Sequence, residues 1–271
     1  MRLLTVFFLL LISLSSCERK VEITPNPPQV GFNRPAFGST FTSGKIYFTV
    51  RATSTSKLMK MDVRRSHNGQ PETQDTAFAI SGEQFEWPYV FTAPDTSTVP
   101  TTIRLFFIVT DDRGISSSAA FEVTLGNEPL DLSAERNGVI YHVNAAGRNA
   151  LWDLVNNMSR KLNDSANSDM MNTSAVANIF SKGWRVPLLT PASVFVKTPQ
   201  FDYTNATVKT VINAINNPSS VFSIRVNEVE VGDVFLLSLR NGAVGVLKVT
   251  QIDVGATSDD QRIVFTYKKQ G

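Results

Sequence analysis

The chain has 271 residues, with Lys+Arg 26 against Asp+Glu 24, a formal net charge of +2 and one cysteine. Balanced charge without a long run of lysine or arginine argues against nucleic acid as a partner. One cysteine excludes an internal disulfide, so a length suited to two domains of ordinary size must be stabilised by apolar packing, to which 18 phenylalanines contribute.

Met1 to Cys17 reads as an export address. Arg2 supplies a short positive region. Leu3 to Leu14 is an apolar run too short to stay as a membrane span, and Ser15 and Ser16 are small residues that a signal peptidase accepts. The ending Leu14-Ser15-Ser16-Cys17 resembles the lipobox of bacterial lipoproteins. The resemblance implies a signal peptide over 1–16, cleavage before Cys17, diacylglycerol on its thiol and usually an acylated amino terminus. Several acyl chains anchor stably where one is marginal. The alternative is an ordinary secretory signal that carries Cys17 by chance. The implied location is a bacterial cell envelope, lipid-anchored to the outer membrane and facing the periplasm or the surface. Residues 17–29, with Pro25, Pro27 and Pro28, read as an extended tether. Their start, Glu18-Arg19-Lys20, departs from the acidic cluster that follows the cysteine in many surface-exported lipoproteins of the Bacteroidota.

From 30 to 127 the sequence predicts about seven short strands. In Lys45 to Arg51 the residues Ile46, Phe48 and Val50 alternate with polar ones, the period of two of a strand with one wet face. Leu58 to Val63 repeats the pattern, and Phe85 to Phe91 contains Pro88, which marks an edge or a bulge. Arg104 to Thr110 and Ala120 to Leu125 flank Asp111-Asp112-Arg113-Gly114, a hairpin loop with a glycine available for positive φ. Strands at this spacing predict a β-sandwich. The stretch from Phe37-Gly38 to the strand-TDDRGI-strand ending resembles immunoglobulin-like and PKD-like modules of bacterial surface proteins, without the cysteine pair of antibody domains.

Gly126-Asn127-Glu128-Pro129 reads as a boundary, and 128–271 as a β-rich, α+β antiparallel domain with one or two helices. Gly138 to Val143 is a strand. Asn149 to Val155 suits a helix or a buried strand, and Asn156 to Asn178 reads largely as a long loop. Thr204 to Ile215 is the best helix, with Val208, Val211, Ile212 and Ile215 at helical spacing and Asn216-Asn217-Pro218 as its stop. Val229 to Leu239 and Ala243 to Ile252 form a hairpin around Arg240-Asn241-Gly242, and Gln261 to Lys268 adds a third strand. The order from Ile140-Tyr141 through Trp184, Phe195-Val196-Lys197 and Phe201-Asp202-Tyr203 to this hairpin resembles uncharacterised domains that follow an immunoglobulin-like module in Bacteroidota lipoproteins.

The sequence carries no catalytic motif. Cys17 is consumed by the anchor, no Gly-x-Ser-x-Gly elbow appears, and the two histidines, His67 and His142, fall in different predicted domains. His67 reads as a turn residue and His142 as a half-buried strand side chain. Asp111-Asp112 and Asp259-Asp260 are neighbours that rarely face one cleft, and Glu228 and Glu230 suit the wet face of a hairpin. A calcium role for Asp111 and Asp112 stays open, as does O-glycosylation at Thr76 and Ser165, whose surroundings resemble short acceptor motifs of exported Bacteroidota proteins. No cofactor or metal is expected. Trp184 and Tyr203, with Trp152 as a third, are candidate sugar-stacking residues beside amide-rich loops; the alternative is that each ring packs in a core. The functional expectation is a non-enzymatic binding or adhesion module with a glycan or an envelope protein as partner. The alternatives are a structural accessory subunit of an envelope assembly and a glycan hydrolase.

Overall fold

The computed structural model describes residues 26–41, 44–94, 100–126, 131–176, 179–187 and 192–271. The expected signal segment, the expected anchor position Cys17 and most of the expected tether lie outside the described residues, as do 127–130 at the expected boundary. No helix among the described residues is long and apolar enough to cross a membrane.

The chain is mainly β. Its first part holds β1 (Gln29–Phe32), β2 (Phe37–Phe41), β3 (Lys45–Thr53), β4 (Leu58–His67), β5 (Thr73–Ala79), β6 (Gln84–Thr92), β7 (Thr101–Asp111) and β8 (Ser116–Gly126). They form two sheets, β1-β3-β6 and β2-β8-β7-β4-β5. Pairing is antiparallel except that β2 runs parallel to β8. The period-two pattern acts as expected: Ile46, Phe48, Val50 and Ala52 of β3 face Ile103, Leu105, Phe107 and Val109 of β7 across one core. Phe48 stacks on Phe121 with centroids 4.1 Å apart.

Pro88 sits on the edge strand β6, as a residue without a backbone donor should. Of the two alternatives, edge or bulge, the structure shows the edge, and Thr49 opposite Pro88 makes its backbone hydrogen bonds on its other side. Its N–H donates to Asn33 Oδ1 at 2.7 Å, and its carbonyl accepts from the Asn33 N–H at 3.1 Å. The β7–β8 hairpin closes at Gly114, with φ 79°. There the Asp111 carboxylate accepts from the backbone of Ile115 and the side chain of Arg113, both at 2.9 Å.

The second part holds β9 (Arg136–Tyr141), β10 (Leu151–Asp153), β11 (Met158–Arg160), β12 (Met170–Asn172), β13 (Trp184–Arg185), β14 (Val194–Lys197), α1 (Val208–Ile215), β15 (Arg225–Val226), β16 (Val234–Ser238), β17 (Val244–Val254) and β18 (Gln261–Lys269). One antiparallel sheet is β14-β16-β17-β18-β9 and the other β11-β10-β12-β13-β15. The expected hairpin is β16–β17, turning at Gly242 with φ 84°, but its first strand starts at Val234 rather than Val229, so Glu228 and Glu230 precede it instead of lying on its wet face. Gly138 in β9 lets Phe265 approach so closely that a Cβ would lie 2.3 Å from its ring.

The helix begins later than the sequence predicts. Asp202 Oδ1 accepts from the N–H groups of Thr204 and Asn205, holding a turn in front of it, and Thr207 is the N-cap in a capping box with Thr210. Its apolar stripe of Val208, Val211, Ile212 and Ile215 is buried. The segment expected as a long loop, Asn156 to Asn178, instead contains β11, β12 and a 3-10 turn at Leu162–Asn167. Strands of three residues, each paired in a sheet, are too short to show a period of two.

Candidate functional site

The aromatic residues singled out for sugar binding are separated. Trp184 on β13 is 0% exposed, with its ring centroid 5.5 Å from that of Phe195 and 5.0 Å from that of Phe235. Tyr203 is buried in a different cluster, beneath α1. Burial pushes its hydroxyl pKa up. Trp152 is half-buried, edge-on to Phe265, and its Nε1 donates to the Tyr267 hydroxyl at 3.3 Å. A stacking platform needs an exposed ring face, so the expectation of a platform built on Trp184 and Tyr203 is corrected: both side chains are spent on apolar packing, the favoured fate of large rings where a core can take them.

The carboxylates that meet in space are Asp153 and Asp169, neither of which sequence reasoning selected. Both side chains are fully buried, and Arg240 at the tip of the β16–β17 hairpin pairs with the two of them. Arg160 also reaches Asp153 at 2.8 Å. Asp169 accepts from the Leu154 N–H at 2.7 Å and from the Ser193 hydroxyl at 2.5 Å. Burial alone would raise the Asp153 pKa, but hydrogen bonds from Asn156, Arg240 and Arg160 outweigh it and hold the carboxyl down at about 2. A general acid needs the opposite shift. This cluster ties β10, the 3-10 turn and the hairpin tip together, and Asp153 does not have the environment of a proton donor.

The remaining polar candidates are equally engaged. The Nδ1 of buried His142 accepts from the Asn144 N–H at 3.0 Å, so its Nε2 carries the proton and donates to the Val176 carbonyl at 3.0 Å. His67 ends β4 beside the Asn68-Gly69 turn, as expected. Asp111 is taken by Arg113 and the backbone, and among the described residues no group of three His, Cys, Asp or Glu side chains could hold a metal ion. Thr76 on β5 and Ser165 in the 3-10 turn are half-buried.

The feature with binding geometry is an apolar cleft of about 540 Å³ where the first sandwich meets the C-terminal sheets. One wall is Phe32, Arg34, Pro35 and Phe37; the other is Val194, Phe222 and Ile224. The first wall exists because the chain leaves one sheet and enters the other there: β1 pairs with β3, β2 pairs with β8, and Asn33 to Ala36 make the crossing. The second exists because Asn216-Asn217-Pro218 ends α1 and the chain then runs extended, pinned where Ser223 and Phe195 exchange backbone hydrogen bonds of 2.9 Å.

Arg34 is the one charged residue among the described residues lining this cleft, and it is 8% exposed. Its Nη1 donates to Asn216 Oδ1 at 3.2 Å and to the Tyr47 carbonyl at 3.3 Å. Its guanidinium carbon lies 4.5 Å from the Phe222 ring centroid and 5.9 Å from that of Phe121. Nε is buried without an acceptor, and no acidic side chain among the described residues pairs with the guanidinium. Burial therefore pulls its pKa down to about 10, uncompensated by any anion. The signal was present in Phe32-Asn33-Arg34-Pro35-Ala36-Phe37, a lone cation among apolar residues, but nothing local distinguishes it from the entry to a first strand.

No protein-family model and no curated protein matches the chain. Among solved structures it is similar to the sporulation control protein Spo0M of Bacillus subtilis, at 9% identity and a TM-score of 0.30, over 82% of this chain and 78% of that one. It is also similar to a CARDB domain from Pyrococcus furiosus solved in complex with di-metal ions, at 16% identity and a TM-score of 0.26, over 41% of this chain and 98% of that one. Superpositions this loose carry no argument about function.

Proposed function

We propose that this chain is a non-enzymatic binding module of a bacterial cell envelope, anchored through Cys17, which takes its ligand in the cleft between the immunoglobulin-like sandwich and the C-terminal sheets. The observation that carries the reading is the cleft: apolar on both walls, within the 300–1,000 Å³ range common for ligand pockets, and placed where two stacks of sheets meet. Glycan binding has less support than other ligands, because Trp184 and Tyr203 are buried. A protein partner is the second reading, favoured by Val221, 78% exposed, next to Phe222 at the cleft.

A neutral solvatochromic dye tests the cleft without reference to charge. Nile red should bind the folded chain saturably and at one site. Ile224→Trp, which adds bulk at a 44% exposed wall position, should weaken that binding about tenfold or more while leaving the unfolding midpoint close to wild type. Equal dye binding by the two proteins, or none by wild type, would remove the cleft as a ligand site.

A further inference from the structure

We infer that the cleft selects an apolar ligand carrying a single carboxylate, with Arg34 as the residue that recognises the head group. This deepens the binding reading above and rests on it. The Arg34 Nε is buried without an acceptor, a cost that the described residues leave uncompensated. A guanidinium taken out of water normally has a carboxylate or a full set of acceptors around it. Arg34 is more than nine-tenths buried and has acceptors on Nη1 alone. Its Nε–Nη2 edge, the side of the fork that presents two parallel N–H groups, makes no hydrogen bond within the described residues, and Nε is shut off from solvent. That edge matches the two oxygens of a carboxylate.

The contacts that Arg34 does make set its orientation. Asn216, the C-cap of α1, accepts from Nη1 and donates from Nδ2 to the Ser39 carbonyl at 3.1 Å, so the residue that aims the guanidinium is itself fixed by β2. Phe121 and Phe222 lie against the guanidinium, and Nε is buried. Phe222 also lines the cleft.

The charge of the ligand follows from the same inventory. Arg34 is the only charged residue among the described residues lining the cleft, so one negative charge is matched and a second would be left in apolar surroundings. A phosphate dianion is disfavoured on this ground. The remaining walls, Phe32, Phe37, Val194 and Ile224, suit an alkyl or aryl body.

The test is displacement of Nile red from the full chain by decanoate and by decanol, at about pH 8 where the acid is ionised. These probes share a chain and differ in the head group. Decanoate should displace the dye at a concentration about tenfold or more below that of decanol. The preference should survive about 0.5 M salt, because a buried pair is screened far less than a surface one. Arg34→Met, which keeps the length and the packing of the side chain, should bind Nile red as wild type does and lose the preference.

If wild type binds Nile red but decanoate and decanol displace it equally, the carboxylate inference fails and the cleft reading stands. A preference abolished by salt, or retained in Arg34→Met, assigns it to surface charge and likewise overturns the inference. Failure of wild type to bind the dye overturns both. The wild-type comparison decides even if Arg34→Met does not fold.

Discussion

The indole of Trp184 lies edge-on to Phe195 and Phe235 with no exposed surface, and its Nε1 has no acceptor. Truncating such a residue removes its transfer free energy and leaves a cavity that the surrounding sheet cannot fill. Trp184→Ala should therefore cost about 3–5 kcal/mol in urea unfolding. Trp184→Phe should cost much less, because it keeps most of the ring contact and removes an orphan donor. A loss below about 1 kcal/mol for the alanine variant would mean that the ring is not buried in solution and would return it to the surface role its neighbours Lys182 and Gly183 suggest. Arg34 is the converse case. It is a cation where the sequence has an apolar run, and its Nε lacks an acceptor, whereas Asp169 is held by the Leu154 N–H, the Ser193 hydroxyl and the Arg240 guanidinium.

Among the elements, those with strong local signals were legible. The strands β3, β7 and β8 follow from alternation, and β16–β17 from Asn241-Gly242 between apolar runs; β18 begins at Gln261 as expected. The helix stripe and its stop at Asn216 were readable, but its start was set by the Asp202 turn and the Thr207 cap, which the apolar period does not show. Strand β10 falls within Asn149 to Val155, which suits a helix or a buried strand, and β11 to β13 were not readable. Each has two or three residues and gains its place from pairing and from the buried Asp153–Arg240–Asp169 cluster, whose members are far apart in sequence. The same distance hid the cleft, since its walls come from 32–37 and 192–224.

That ionic cluster makes a pH prediction. Asp153 has its folded pKa depressed from 3.8 to about 2, so it contributes stability that is fully present above the unfolded value and is lost as pH falls through the folded one. Wild type should lose stability between about pH 4 and pH 2 more steeply than Asp153→Asn, measured as urea unfolding free energy at several pH values. The variant should be less stable at neutral pH, because Arg160 and Arg240 lose a buried anion. Parallel pH profiles for the two proteins would show that Asp153 is not held in its charged form by the fold. The comparison is needed because Asp111, Asp202 and Asp253 also have lowered values and add to the acid slope of both.

For the whole molecule, the contact between the first sandwich and the C-terminal sheets includes, among the described residues, the polar ties of Arg34 to Asn216 and Asn216 to Ser39, together with Phe41 under Lys209 and the apolar cluster beneath α1. Such a junction leaves room between its walls, and clefts at junctions are where ligands are most often held. Each side supplies its own packed core, so the walls are rigid and the space between them is not filled by side chains. Export and a lipid anchor would place this cleft in an envelope compartment, where amphiphiles are available to it. The central claim is that the cleft holds a ligand, and native mass spectrometry of the full chain released gently from membranes tests it most directly. The account predicts a small acidic adduct at one per chain on wild type and its loss from Ile224→Trp. A bare wild-type chain, or the same adduct on both proteins, would contradict it.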